Sequence, residues 1–180
     1  VDMSMEWVFL FCAEKGLLQG VQFVHSLDPA TYKRGDFGND ACGRAALGGQ
    51  IEVLQWLRAE GYPWDAMHEC MRAAEGGQLD TLKWLHAQSA PWNSGTITEA
   101  AKHGHLDIIE WAREQHPPCP WEGGGAYREA ARGGHLHILK WLFAHGCPMP
   151  NDEYCNPCVA AAQGCGSIEV MQWLRAHDVP

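Results

Sequence analysis

Short apolar runs recur along the chain in one order: two alanines, glycine, a stripe of aliphatic residues and a tryptophan. Five copies run Ala45-Ala46 to Trp56, Ala73-Ala74 to Trp84, Ala100-Ala101 to Trp111, Ala130-Ala131 to Trp141 and Ala161-Ala162 to Trp173. Their first alanines stand 27 to 31 residues apart, room for two helices and two tight turns but little for strands. In the copy from Met67 to Pro91, Met67, Cys70, Ala73 and Ala74 recur at helical spacing and predict a first helix with a small apolar face. Gly76-Gly77 ends it, since glycine turns the chain at least steric cost. Leu79, Leu82 and Leu85, with Trp84 beside them, predict a second helix whose first turn carries Asp80 at its positive end. Ala90-Pro91-Trp92 closes the unit because proline cannot continue the hydrogen-bond ladder.

The same template fits Cys42 to Trp64, Ile97 to Trp121, Tyr127 to Met149 and Cys158 to Pro180. A weaker copy covers Cys12 to Val24, with Phe23 in the tryptophan's place. Small alanines let first helices approach closely while the bulky stripe fills the wider side, an asymmetry that would curve the stack. The expectation is all-α: an α-solenoid of about six stacked helix-turn-helix repeats in one domain, 1–180. The repeats fall near 3–27, 40–64, 66–92, 95–121, 124–149 and 154–180. Terminal repeats normally carry a polar outer face, yet Ile168, Met171, Trp173 and Leu174 read like an internal copy. Either further repeats follow, or this end pairs with another molecule.

Composition supports a folded chain, 46% apolar and 19% charged. The net charge of −9, with no basic run, argues against nucleic acid and an anionic membrane surface as partners. No apolar stretch approaches the ~20 residues of a membrane span. The run Trp7 to Cys12 lacks the basic leader and cleavage site of a signal peptide. The Val1 start and the abrupt Val179-Pro180 end read as a piece of a longer protein.

The eight cysteines and ten histidines invite chemistry, and the repeat absorbs most of them. Cys42, Cys70 and Cys158 each precede an alanine pair by three residues, while Cys119 and Cys147 precede Pro120 and Pro148. Equivalent sites of packed helices lie roughly 10 Å apart, too far for a disulfide. Buried free thiols in a reducing intracellular compartment, cytoplasm or host cytoplasm, are the expectation. A weak zinc candidate is Cys147, Cys155, Cys158 and Cys165, which includes the two-residue gap Cys155-Asn-Pro-Cys158. The repeat already explains Cys147 and Cys158, and a second close pair is missing. His105 and His135 occupy the site of Gln50 and Gln78, a hydrogen-bonding position at a helix start. No nucleophile elbow and no phosphate loop occur, so no catalytic residue and no cofactor is expected.

Ala-Ala-Lys-His-Gly-His-Leu-Asp-Ile-Ile-Glu at 100–110 and Ala-Ala-Arg-Gly-Gly-His-Leu-His-Ile-Leu-Lys at 130–140 resemble the central segment of the ankyrin repeat. The family's Thr-Pro-Leu-His opening is replaced by Met67-His68-Glu69-Cys70 and Gly95-Thr96-Ile97. The period is also shorter than the family's roughly 33 residues, so tight loops are expected where ankyrins carry β-hairpins. Cys-Pro-Trp at 119–121 with Lys-Trp-Leu helices is similar to a divergent subtype abundant in giant viruses and some protists. The resemblance implies a non-catalytic module that binds another protein through its concave helix face and loops.

Candidate contact residues flank the alanine pairs: Arg44, Arg72, Glu75, Glu99, Lys102, Arg128, Glu129 and Arg132. Loops add Asp65, His68, Trp92, Asn93, Trp121 and Tyr154. The helix tryptophans 56, 84, 111, 141 and 173 read as a packing ladder. Trp64, Trp92 and Trp121 either pack the loops or anchor a partner. The competing readings are a structural, self-assembling segment joined end to end through the last repeat, and the cysteine zinc site.

Overall fold

The computed structural model describes residues 3–32, 35–121, 124–149, 156–164 and 167–177, with the backbone alone at 3–4, 30–31 and 35–39. Among these residues all regular structure is helical. The chain divides into two compact units, Val1–Pro91 and Trp92–Pro180. The first holds α1 (Met3–Lys15), α2 (Leu18–Leu27), the four-residue α3 (Pro29–Tyr32), α4 (Gly35–Leu47), α5 (Ile51–Ala59), α6 (Ala66–Glu75) and α7 (Leu79–Ala87). The second holds α8 (Ser94–His103), α9 (Leu106–Glu114), α10 (Gly125–Gly133), α11 (Leu136–Ala144), α12 (Pro157–Gln163) and α13 (Ile168–Ala176). The six expected helix pairs are therefore α1–α2, α4–α5, α6–α7, α8–α9, α10–α11 and α12–α13. In the first unit α4 packs between α1 and α6, and in the second α10 packs between α8 and α12. One boundary differs from expectation: α4 begins at Gly35, ahead of position 40.

The packing follows from side-chain size. Ala45, Ala46, Ala73, Ala74, Ala100, Ala101, Ala130 and Ala131 are fully buried where first helices meet. Each second helix buries its aliphatic stripe: Leu54 and Leu57, Leu82 and Leu85, Ile108 and Ile109, Leu139 and Leu142. In the sixth pair Ala161 is buried and Ala162 is exposed.

Both turns of the repeat are closed by backbone. Between first and second helix a glycine takes the left-handed conformation, as at Gly49 and Gly77 (φ 76° and 71°). The next residue then donates back into the first helix, Gln50 to the Ala45 carbonyl and Gln78 to the Ala73 carbonyl, both at 2.8 Å. The glycine before it serves a different purpose. A Cβ at Gly48 would overlap the Glu14 carbonyl oxygen, and at Gly76 the Leu47 oxygen. In the second unit Gly133 meets the Lys102 carbonyl and Gly164 the Arg132 carbonyl in the same way. Successive turns within a unit thus touch backbone to backbone.

After the second helix the chain closes again. Tyr62, Ala90, Cys119 and Cys147 are buried and donate their N–H to the Leu57, Leu85, Ala112 and Leu142 carbonyls at 3.0 to 3.1 Å. Proline follows each of them, so the ladder stops there. Residues 60–65 and 88–93 are the tight loops expected in place of hairpins. The first copy departs from the template: Phe23, in the tryptophan's register, is 62% exposed and makes no ring contact among the described residues.

Candidate interaction surface

The side chains beside the buried alanine pairs sit on the first helices and are partly exposed, except Glu129 of α10, expected as a contact residue but buried at 5% exposure. On α4, Arg44 Nη1 lies 3.1 Å from Glu14 Oε2 of α1, and Arg44 Nε lies 3.8 Å from Asp40 Oδ1. On α6, Arg72 pairs with Glu75 one turn on. On α8, Glu99 Oε2 receives Lys102 Nζ at 3.1 Å, with His103 Nε2 at 3.7 Å. On α10, Glu129 receives Arg128 Nε at 3.0 Å and Arg132 Nη1 at 3.2 Å. The order of charge reverses between α6 and the two helices α8 and α10. Partly exposed pairs such as those on α4, α6 and α8 contribute little to stability, so the fold does not dictate their arrangement.

The loop residues divide by role. Asp65 and Asn93 are helix N-caps: Asp65 accepts the His68 N–H at 3.3 Å and Asn93 accepts the Gly95 N–H at 2.9 Å. His68 lies against Gly43 of α4. Tyr154 lies outside the described residues, as do Cys155 and Cys165 of the zinc candidate. Of that set Cys147 is buried and Cys158 half-buried. Among the described residues no group of three or more His, Cys, Asp or Glu could hold a metal ion.

The loop tryptophans pack against the helix tryptophan of the following pair in an edge-on geometry. Ring centroids lie 6.3 Å apart for Trp64–Trp84, 5.7 Å for Trp92–Trp111 and 6.2 Å for Trp121–Trp141. Arg58 covers Trp64 at 4.5 Å and Arg113 covers Trp121 at 3.7 Å. All three loop rings stay half-buried, which leaves part of each open to solvent.

Two exposed aromatics on α1 escaped the sequence reading. Trp7 is 65% and Phe11 40% exposed, and their rings stack at 5.1 Å. Counted back from Cys12-Ala13, which replace an alanine pair, they occupy the register of Asp40 and Arg44 on α4 and of His68 and Arg72 on α6. That register was the available signal, hidden because the first copy has Cys12-Ala13 where the others carry two alanines. A depression of about 220 Å³ lies there, lined by Trp7, Leu10, Phe11, Glu14 and Arg44.

The remaining polar groups serve the framework. Gln50 and Gln78 donate to the carbonyls of Gly48 and Gly76 at 2.6 and 2.8 Å, so they brace the turn rather than cap a helix. His135 Nε2 meets the Lys102 carbonyl at 3.0 Å; a carbonyl only accepts, so Nε2 carries the hydrogen. Burial, with His137, His105 and His103 nearby, lowers its pKa and keeps the ring neutral. Burial pushes the thiols of Cys42, Cys119 and Cys147 up to about 12, which leaves them un-ionised at neutral pH.

No family model and no curated protein matches the sequence. Among solved structures the chain is similar to the crystal structure of the human ASB11 ankyrin repeat domain. The two are 18% identical; the match covers 93% of this chain and 82% of that one, with a TM-score of 0.61. The fold is that of an ankyrin-like helical repeat array. No helix among the described residues is long and apolar enough to cross a membrane.

Proposed function

We propose that the chain is a non-catalytic interaction module that grips another protein through its first-helix faces and inter-repeat loops. Ankyrin-like arrays generally bind proteins, using a constant framework to present a variable surface. The observation that carries the reading is the contrast at the alanine pairs. From the second to the fifth pair the alanines repeat and are buried, while most of the charged side chains around them are partly exposed and change from copy to copy.

On α1 this face is aromatic, through Trp7 and Phe11; on α4 and α6 it is charged, through Arg44, His68, Arg72 and Glu75. In the second unit Glu99, Lys102, Arg128 and Arg132 present the corresponding charges, with the buried Glu129 pairing Arg128 and Arg132. A few aromatic and arginine anchors among near-neutral contacts are the usual source of protein-binding affinity. Trp92 and Trp121 add loop anchors, whereas Asp65 and Asn93 contribute by holding the helices that carry the face. The free buried thiols fit a reducing, intracellular setting.

Cross-linking of a captured partner should map to α1, α4, α6, α8 and α10. Trp7→Ala should weaken its binding about tenfold, and Arg72→Glu, Glu99→Lys and Arg132→Glu about threefold each, with unchanged circular dichroism. Cross-links on the second helices together with unaltered affinity in all four variants would overturn the assignment. A second reading, end-to-end self-association, is favoured by the outer side of the sixth pair. There Ile168 is 67% and Val159 49% exposed. Light scattering should then report a mass that rises with concentration, and a constant monomer mass refutes it.

A further inference from the structure

The second helices of the second unit carry a groove that shares no residue with the first-helix face. It measures about 440 Å³ and is lined by Glu110, Arg113 and Glu114 of α9, Trp121 of the following loop, and Trp141 and His145 at α11. Its floor is the Trp121–Trp141 pair, crossing at 67°. His145 stacks on Trp141 at 3.9 Å and donates Nδ1–H to the Trp141 carbonyl at 2.8 Å, which fixes that wall. The Arg113 guanidinium is already engaged: it lies 3.7 Å over the Trp121 ring and donates Nη1–H to the Cys119 carbonyl at 2.7 Å. Glu110 and Glu114 are different. Both are exposed, one turn apart, and neither pairs with a cation among the described residues.

The repeat supplies its own control. The positions of Glu110 and Glu114 are Gln55 and Ala59 on α5, Lys83 and Ala87 on α7, Lys140 and Ala144 on α11, and Gln172 and Ala176 on α13. Two carboxylates therefore stand beside a tryptophan pair on α9 and on no other second helix. Indole faces attract cations, and the attraction strengthens where water is partly excluded. Carboxylates on the rim add charge-assisted hydrogen bonds to a guanidinium or ammonium group. A neutral side chain gains neither; Arg113, held on Trp121 and the Cys119 carbonyl, leaves one net negative charge from itself, Glu110 and Glu114, which favours a cation over an anion.

We propose that this groove binds an arginine or lysine side chain of a partner protein, with the net charge of −9 favouring the approach of such a basic segment. The inference rests on the reading of the chain as a binding module and shares only Trp121 with the surface proposed there. A short Gly/Ser peptide with one central arginine, titrated at low salt, should shift the indole N–H resonances of Trp121 and Trp141 saturably, as should its lysine counterpart. The central-glutamine peptide should not. Glu110→Gln/Glu114→Gln, at exposed positions, should keep the fold and weaken the arginine peptide about fivefold. Arg72→Glu/Glu99→Lys should leave this binding unchanged, so failure of the first-helix assignment and failure of the groove give different results. No saturable shift, equal response to the glutamine peptide, or unaltered affinity in the Glu110/Glu114 variant would each overturn the proposal.

Discussion

Glu69 stands in the register of Ala41 and Ala126, fully buried, and neither carboxylate oxygen has a hydrogen-bond partner. Burial, with Asp65 adding, pushes its pKa from the ordinary 4.5 up to about 8. The backbone at Glu69 and Asp65 and the Arg58 charge pull the other way without reversing it. The folded state therefore holds a proton that the unfolded chain releases above 4.5. The stability tied to it is complete below that value and is lost as pH rises through about 8. The urea midpoint of the protein should fall between pH 6 and pH 9, and Glu69→Gln should flatten that fall. His135 works in the opposite sense: with its pKa below the ordinary 6.5, the unfolded state takes up the proton first and stability is lost as pH drops below that value. Neither effect was legible in the sequence. An acid in the first turn of a helix reads as an answer to the helix dipole, and only the neighbouring helices make it a buried group.

At the scale of elements, the glycine step was legible as a stop between helices, and half of that was the right reason. Gly77 needs its left-handed φ, but Gly76 sits at φ −81°, a conformation any residue adopts. Alanine there would gain about 1 kcal/mol in helix propensity if the helix stood alone. Because its Cβ would overlap the Leu47 carbonyl, Gly76→Ala should instead destabilise by about 2 kcal/mol. Gly61→Ala, with φ 76° and nothing nearby, should cost about 1 kcal/mol from backbone strain alone. Denaturant midpoints of the two variants separate crowding from strain, and equal losses would mean the turns do not press together. The alanine pairs, the aliphatic stripes and the proline stops were readable for the same reason: each is local and repeats. The partners of Trp64, Trp92 and Trp121 lie on the following pair, so spacing alone left their role open. Trp7 and Phe11 were lost because the copy that carries them has Cys12-Ala13 in place of the alanine pair that marks the register.

At the scale of the whole molecule, helix content and pairing were legible, while the face proposed to meet a partner was legible only as a set of positions. Which of those side chains neutralise one another depends on rotamers that no spacing rule contains. Each unit carries buried thiols that report on it, Cys42 in the first and Cys119 and Cys147 in the second. Alkylation read by mass spectrometry should proceed at these three sites about a hundredfold slower in native buffer than in urea. Labelling at the denatured rate would contradict their burial. The backbone contacts between successive turns have a consequence for how such a chain changes over time. Neighbouring pairs within a unit recognise one another by a missing side chain meeting a carbonyl, and both features are indifferent to the letters written on the outer surface. A duplicated or exchanged pair would arrive with its joint already made, and substitutions on the first-helix face can accumulate independently, each altering the outer surface without disturbing how the units are built.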